Sequence, residues 1–442
     1  MIDPNSSPES NAASGAVPEA DYSGAETTGR FIVVFAQQET SPSSVLESAG
    51  LSNVADSRDF QDREVDASET SGADATFFSS LGIAVVSAEP EQIGVLETSE
   101  AMPGAVLSVS PELIHHVLAA GPTEYVRGYR DAVLDLDNRL NGGNGQGAAV
   151  AAPPTVPIFQ DTAQFTWGLQ AVQATSSQYS GRGIKVAVLD TGFDANHPDF
   201  TGRNVTSRSF IPGESAQDGH GHGTHCIGTA CGSKSPSTGP RYGVAYEADI
   251  FAGKVLSNGG SGSDAGILAG IDWALTSGCA IISMSLGADV PKIHPPYVAA
   301  GKRALDAGTL IIAAAGNNAR RLQGNNGFVG TPANSPFVMA VGALDHQLDV
   351  TFFSARSLPI RGGHVDVAGP GWQVYSSWPM PARYKSISGT SMATPHAAGV
   401  AALWAQATGF RGRELWSALV QESDRLIAPS VDVGSGLVIA PL

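Results

Sequence analysis

The chain has 442 residues, 42% of them hydrophobic, and a formal net charge of −17. That length suits two or three domains with ample apolar side chains for their cores, and the acidity excludes a polyanion such as nucleic acid as a partner. The charge is uneven: residues 1–117 hold 19 acidic and 3 basic side chains, a balance of −16, whereas residues 118–442 hold 23 and 22, a balance of −1. Three cysteines, Cys226, Cys231 and Cys279, cannot make a disulfide framework and are expected to be reduced and buried. No apolar run of about 18 residues occurs, which rules out a membrane-spanning helix.

In chain order, residues 1–29 are polar and acidic, so they are expected to be disordered. They lack a basic start and an apolar stretch, so no signal peptide is visible, which points to a cytoplasmic or non-classically exported chain. Residues 30–117 then read as strand (FIVVF, 31–35), helix (SPSSVLESAG, 41–50), strand (GIAVVSA, 82–88), helix (PEQIGVLETSE) and strand (GAVLSVSP, 104–111), a small α+β domain. Residues 118–159 form the joint between domains. EYVRGYRDAVLDLDNRL, at 124–140, spaces apolar residues as an amphipathic helix, and a Gly/Ala/Pro linker follows at 141–157.

From 160 to 442 the pattern changes to continuous apolar runs, KVAVLD, ADIFAGKVL, AIISMSLG, TLIIAAAGN and FVMAVGAL, with helical segments between them. Strands without polar alternation are buried on both faces, so this part is expected to be α/β, with a mostly parallel, doubly wound sheet covered by helices on both faces. In such sheets the ligand crevice lies at the carboxyl ends of the strands, where Asp190, Gly287 and Asn317 fall.

Three glycine-rich strings carry the chemistry. GTSMATPH at 389–396 places Ser391 where a turn runs into a helix, exposing a hydroxyl beside free N–H groups. HGTHCIG places His222 at a helix start, and KVAVLDTG ends a strand in Asp190. The chain order Asp, His, Ser separates this set from other convergent triads. At these residues the chain resembles the subtilisin-like serine proteases (subtilases), and the proteinase K branch in particular because Cys226 follows HGTH.

The resemblance implies a serine endopeptidase acting through an acyl-enzyme, with Ser391 as nucleophile, His222 as base and Asp190 as its orienter. Asn317, in AAAGNN, matches the oxyanion asparagine, the backbone N–H of Ser391 would be the second donor, and Thr390 would assist. Gly260 and Gly262 in NGGSG, and Ser285, Leu286 and Gly287 in SLG, match the two edge segments that pair with an extended peptide. Ala314, Ala315 and Gly316 would wall the pocket for the residue before the scissile bond. Gly330 would form its base and leave it deep enough for large apolar residues. Asp264 stands where many relatives place an aromatic residue, at the pocket four residues upstream of the cut, which predicts less preference for bulky apolar groups there.

The 30–117 segment resembles the subtilase propeptide, an intramolecular inhibitor, and implies self-processing between about 116 and 160. The partners implied are a peptide or protein substrate and this N-terminal domain, in a monomer. No cofactor is expected for catalysis. His220, His222 and His225 lack the glutamate of a zinc protease, so no metal is assigned to them. Structural calcium is possible in such a protein. Asp199 matches a family calcium ligand, but residues 231–243 offer no Asp or Asn and carry Lys234 and Arg241, so Asp199 is read as a turn cap. Two rival functions stay open: a catalytically silent scaffold on the same fold, and a narrow-specificity intracellular processing protease.

Overall fold

The computed structural model describes residues 22, 24–36, 42–60, 72–101, 105–118 and 159–442. The helix expected at 124–140 and the linker at 141–157 lie outside the described residues. In the N-terminal domain, β1 (Thr27–Phe35), α1 (Pro42–Ser48), β2 (Val54–Asp56), β3 (Ala75–Phe78), β4 (Ile83–Val86), α2 (Pro90–Ala101) and β5 (Val106–Val117) follow one another. The strands lie in the order β5-β1-β4-β3-β2.

Two expected boundaries are corrected here. The ordered chain begins before residue 30, because β1 starts at Thr27, paired with Leu113, and the Glu26 carbonyl accepts from the Ile114 N–H. Backbone pairing needs no apolar side chains, which is why the polar composition read as disorder. The closing strand also runs past 111 to Val117.

The apolar run of β1 is explained by burial on both faces. Val33 and Phe35 join Leu46, Leu96, Ala84 and Val86 in the domain's own core. Ile32 and Val34, on the opposite face by the two-residue period of a strand, join a core shared with the second domain.

The second domain contains α3 (Trp167–Ala171), β6 (Lys185–Asp190), β7 (Val205–Ser209), α4 (His222–Cys231), β8 (Asp249–Lys254), β9 (Ser261–Ser263), α5 (Asp264–Thr276), β10 (Ile281–Met284), β11 (Leu286–Gly287), α6 (Pro295–Asp306), β12 (Leu310–Ala314), β13 (Met339–Leu344), β14 (Val367–Pro370), β15 (Val374–Ser377), β16 (Tyr384–Ile387) and α7 (Thr390–Thr408). Its main sheet has the order β14-β13-β12-β10-β6-β8-β7, and every pairing in it is parallel. Alternate residues of each strand serve opposite layers. Val186, Val188, Ile281 and Ile312 pack with Ile227 of α4 and Ala397 of α7. Ala187, Leu189, Ile282 and Ile311 pack with Ile267 of α5 and Ala304 of α6. That second layer is the one on which the N-terminal sheet rests, so the protein is an α/β body with a small α+β domain seated on one helical face. Among the described residues, no helix is long and apolar enough to cross a membrane.

Asp366, just before β14, accepts the Ala340 N–H at 2.8 Å. Burial pushes its carboxyl up to about 7, against the smaller opposing effect of that bond. The folded form therefore holds a proton that an unfolded Asp would release near pH 4, so this group favours folding at low pH and the benefit is lost as pH rises from about 4 to 7. In a Ser391→Ala background, Asp366→Asn should flatten this decline, worth roughly 2–4 kcal/mol of unfolding free energy between pH 4 and 7. An unfolding free energy from denaturant titrations that falls as much between pH 4 and 7 in Asp366→Asn as in its parent would refute it.

Candidate active site

Three strand ends and two helix starts converge on one point. Asp190 closes β6 and His222 opens α4, and His222 Nδ1 lies 2.8 Å from Asp190 Oδ1 and 3.0 Å from Oδ2. An ionised carboxylate can only accept, so Nδ1 carries a proton, and in a neutral imidazole Nε2 is then the nitrogen with the lone pair. Nε2 is buried and has no hydrogen-bond partner among the described residues. Asp190 Oδ1 also takes the Thr191 N–H at 2.7 Å, and both side chains of the pair are only 1% exposed.

Ser391 lies in the first turn of α7, after Gly389. Its Oγ donates to two carbonyls, Leu118 O at 2.7 Å and Ser285 O at 3.1 Å. Asn317 Nδ2 donates to the same Leu118 oxygen. The orientation of that amide is set from behind, since Asn317 Oδ1 accepts from both the N–H and the hydroxyl of Thr390, each at 3.0 Å. Thr390 thus acts on Asn317 and makes no bond to the Leu118 carbonyl. Gly316, at φ +125°, turns the chain so that its N–H reaches Thr390 Oγ1 at 3.3 Å.

Leu118 is delivered by β5, whose end lies between the two expected edge segments. His115 pairs with Gly262 and His116 with Ser261 on β9, while His116 also pairs with Gly287 and Val117 with Leu286 on β11. The Val117 N–H donates to Gly260 O at 3.0 Å. The N-terminal domain therefore enters the cleft as an added strand. Ser285 contributes a bond from its Oγ to Ser391 O at 2.8 Å.

The wall residues Ala314 and Ala315 are buried behind Gly316. Gly330 has a different reason for being glycine than the one expected: a Cβ there would lie 2.5 Å from Ala288 O, so close backbone packing already excludes a side chain.

Several residues that matter here were missed in the sequence. Asp218 is buried and binds the turn before α4, accepting from the N–H groups of His220, Gly221 and Thr224 and from the Thr191 and Thr224 hydroxyls. Its signal was an aspartate directly before a glycine-rich turn, an Asx-type pattern. Lys254, fully buried, donates to Thr191 O at 2.6 Å and Asn258 Oδ1 at 2.9 Å, tying the Asp190 loop to the β9 edge. Nothing local marked it, because a buried lysine is paired only by tertiary contacts.

His225 does pack behind the pair, with Nε2 donating to Val374 O at 2.9 Å, and burial lowers it to about 3, so it stays neutral. Asp190, His222 and Cys226 are the one group of potential metal ligands found among the described residues. The Cys226 sulfur is 3.8 Å from His222 Nδ1, and burial together with the Asp190 charge raises its thiol well above the usual value. It therefore stays protonated beside His222.

Asp199 is corrected from turn cap to hub. Its carboxylate accepts from Tyr242 Oη at 2.6 Å, Ser237 N–H at 2.6 Å and Tyr384 Oη at 3.0 Å, while His197 provides the cap. Donors occupy the positions where a calcium ion would need oxygen acceptors, so this set does not fit calcium.

A model of the subtilase family matches residues 181–434. The chain belongs to the subtilase family. Among curated subtilases it is 40% identical over 266 residues to M-protease of Shouchella clausii (strain KSM-K16), covering 58% of this chain and 65% of that protein. It is 41% identical over 241 residues to subtilisin Savinase of Lederbergia lenta, covering 54% of this chain and 82% of that one. With thermitase of Thermoactinomyces vulgaris it shares 37% over 274 residues, 62% of this chain and 92% of thermitase. The chain thus spans a little under two thirds of the first of these relatives.

Proposed function

We propose that this subtilase is a serine endopeptidase made as a self-processing zymogen, with its N-terminal domain as intramolecular inhibitor and the bond after Leu118 as the maturation site. The observation that carries this is the Leu118 carbonyl, which takes hydrogen bonds from the nucleophile Ser391 and the asparagine Asn317 while its strand pairs on both sides.

In the reaction, the single Oγ–H of Ser391 leaves the Leu118 and Ser285 carbonyl oxygens and turns toward His222 Nε2, the proton passes there, and Oγ attacks the Leu118 carbonyl carbon. Negative charge gathers on the carbonyl oxygen, met by Asn317 Nδ2 and the Ser391 N–H. The tetrahedral species collapses, the bond to the Ala119 nitrogen breaks, and His222 returns the proton to the leaving amine. Water then hydrolyses the acyl-Ser391 ester by the same base. Asp190 holds the imidazole in the Nδ1–H tautomer throughout and stabilises its cationic form.

A leucine occupying this position supports cleavage after large apolar residues, because Gly287 leaves space beside it: a Cβ there would come within 2.9 Å of Leu118 Cδ1. Asn317→Ala should lower kcat by about 10² to 10³ with a smaller change in KM, since the bond from Asn317 to the carbonyl oxygen strengthens as negative charge gathers there. Equal losses in kcat/KM through KM alone would contradict that role.

Labelling of the processed protein by a fluorophosphonate probe tests the function as a whole. Labelling that requires Ser391 and His222 supports it. Its absence would favour the silent scaffold, and cleavage of a single bond type in a peptide library would favour the narrow processing role.

A further inference from the structure

Asp264 is fully buried at the start of α5, a place where a carboxylate gains from the helix dipole but still needs donors. It has four. Oδ1 accepts from His115 Nε2 at 2.6 Å and Tyr297 Oη at 2.6 Å, and Oδ2 accepts from His294 Nε2 at 3.0 Å and the Leu113 N–H at 2.6 Å. Two donors belong to the second domain and two arrive on β5. The His115 ring meets Tyr297 edge to face, with centroids 5.5 Å apart, and Tyr297 Oη lies 3.2 Å from His115 Nε2. Tyr22 Oη closes the far side on His294 Nδ1 at 3.0 Å. Burial works to raise the Asp264 carboxyl, but the charges and hydrogen bonds of His294 and His115 outweigh it and hold it well below the usual carboxylate range.

Counting back from Leu118, His115 is the fourth residue before the bond taken to be cut. Resting on the peptidase assignment above, we infer that Asp264, Tyr297 and His294 form a subsite selecting histidine as the fourth residue upstream of the scissile bond. A phenyl ring in the place of His115 would bring no donor to Oδ1 of a buried carboxylate. An alanine would leave the cavity unfilled as well. A lysine ammonium, on a longer chain, would overshoot Oδ1 and bring three N–H groups where the imidazole of His115 offers Oδ1 one. A site built to hydrogen-bond one side chain rejects analogues that cannot reciprocate.

The test uses the active protein obtained from the full chain and peptides Leu-Ile-X-His-Val-Leu-Ala-Ala-Gly, which copy residues 113–121 with X at the position of His115. The kcat/KM for X = His should exceed that for Phe, Ala and Lys by about tenfold or more. Asp264→Leu should erase this and make Phe the best residue. Because that variant also alters the start of α5, Tyr297→Phe serves as a milder second one, expected to reduce the ratio of kcat/KM for the His peptide to that for the Ala peptide severalfold. Equal cleavage of the Phe or Ala peptide by the unmodified protein overturns the inference, and so does a Lys peptide as good as His. Cleavage of none of the peptides would count against the peptidase assignment itself.

Discussion

Ser391→Ala is expected to leave the full chain uncut, while the unmodified chain loses its N-terminal domain and shows a new amino terminus at Ala119. Removing the nucleophile of subtilisin, a member of the same family, costs about 10⁶ in turnover, and a loss of that order turns processing within minutes into processing within years. The prediction is specific because the Leu118 carbonyl is already held by Ser391 Oγ and Asn317 Nδ2, and no other peptide bond among the described residues occupies that position. Intact-mass spectrometry of both proteins, purified in parallel, reads the result. A new terminus anywhere other than Ala119 would remove Leu118 from the site, and an alanine variant that matured at the normal rate would remove Ser391.

Asp190→Asn should be the next most damaging change, lowering kcat by about 10⁴ while the fold and substrate binding persist. The carboxylate accepts the Nδ1–H of His222 through both oxygens, at 2.8 and 3.0 Å. An amide of the same shape can offer an N–H to that nitrogen instead, which moves the imidazole proton to Nε2 and leaves no lone pair facing Ser391. KM should change little, since the hydrogen bonds of Asp190 go to His222 and to the Thr191, Val255 and Leu256 N–H groups rather than to the Leu118 strand. The loss should shrink at high pH, where hydroxide can remove the serine proton without the imidazole. A kcat within tenfold of the unmodified enzyme at pH 7 would show that Asp190 does not set the tautomer.

The two domains differed in how openly the sequence announced them. The continuous apolar runs at 186–189, 281–284 and 310–314 are buried in full in β6, β10 and β12, because a strand covered on both faces has no polar alternation to hide it. β7, VTSRS, went unseen because it lies at the edge of the sheet and keeps polar residues. In the N-terminal domain β2 and β3 were missed for a related reason: runs of three and four residues carry too little periodicity to stand out. Asp190, His222, Asn317 and Ser391 were legible because each lies in a short glycine-rich string whose local geometry does part of its work. Asp218, Lys254 and the partners of Asp264 were not, because their significance lies in groups far away in the chain: Tyr297 and His294 reach Asp264 from about one helix further on, and His115 from 149 positions before it.

The amino-acid sequence by itself determined the class of the main domain, the chain order of Asp190, His222 and Ser391, and the turns that present them, since hydrophobic periodicity and glycine placement act over a few residues. Only the tertiary structure decided which peptide bond lies against Ser391, that the polar segment from Thr27 is part of the N-terminal sheet, and that Asp264 is a buried acceptor for His115. Those outcomes depend on strand pairing and desolvation between segments distant in the chain, and both are properties of the assembled cleft.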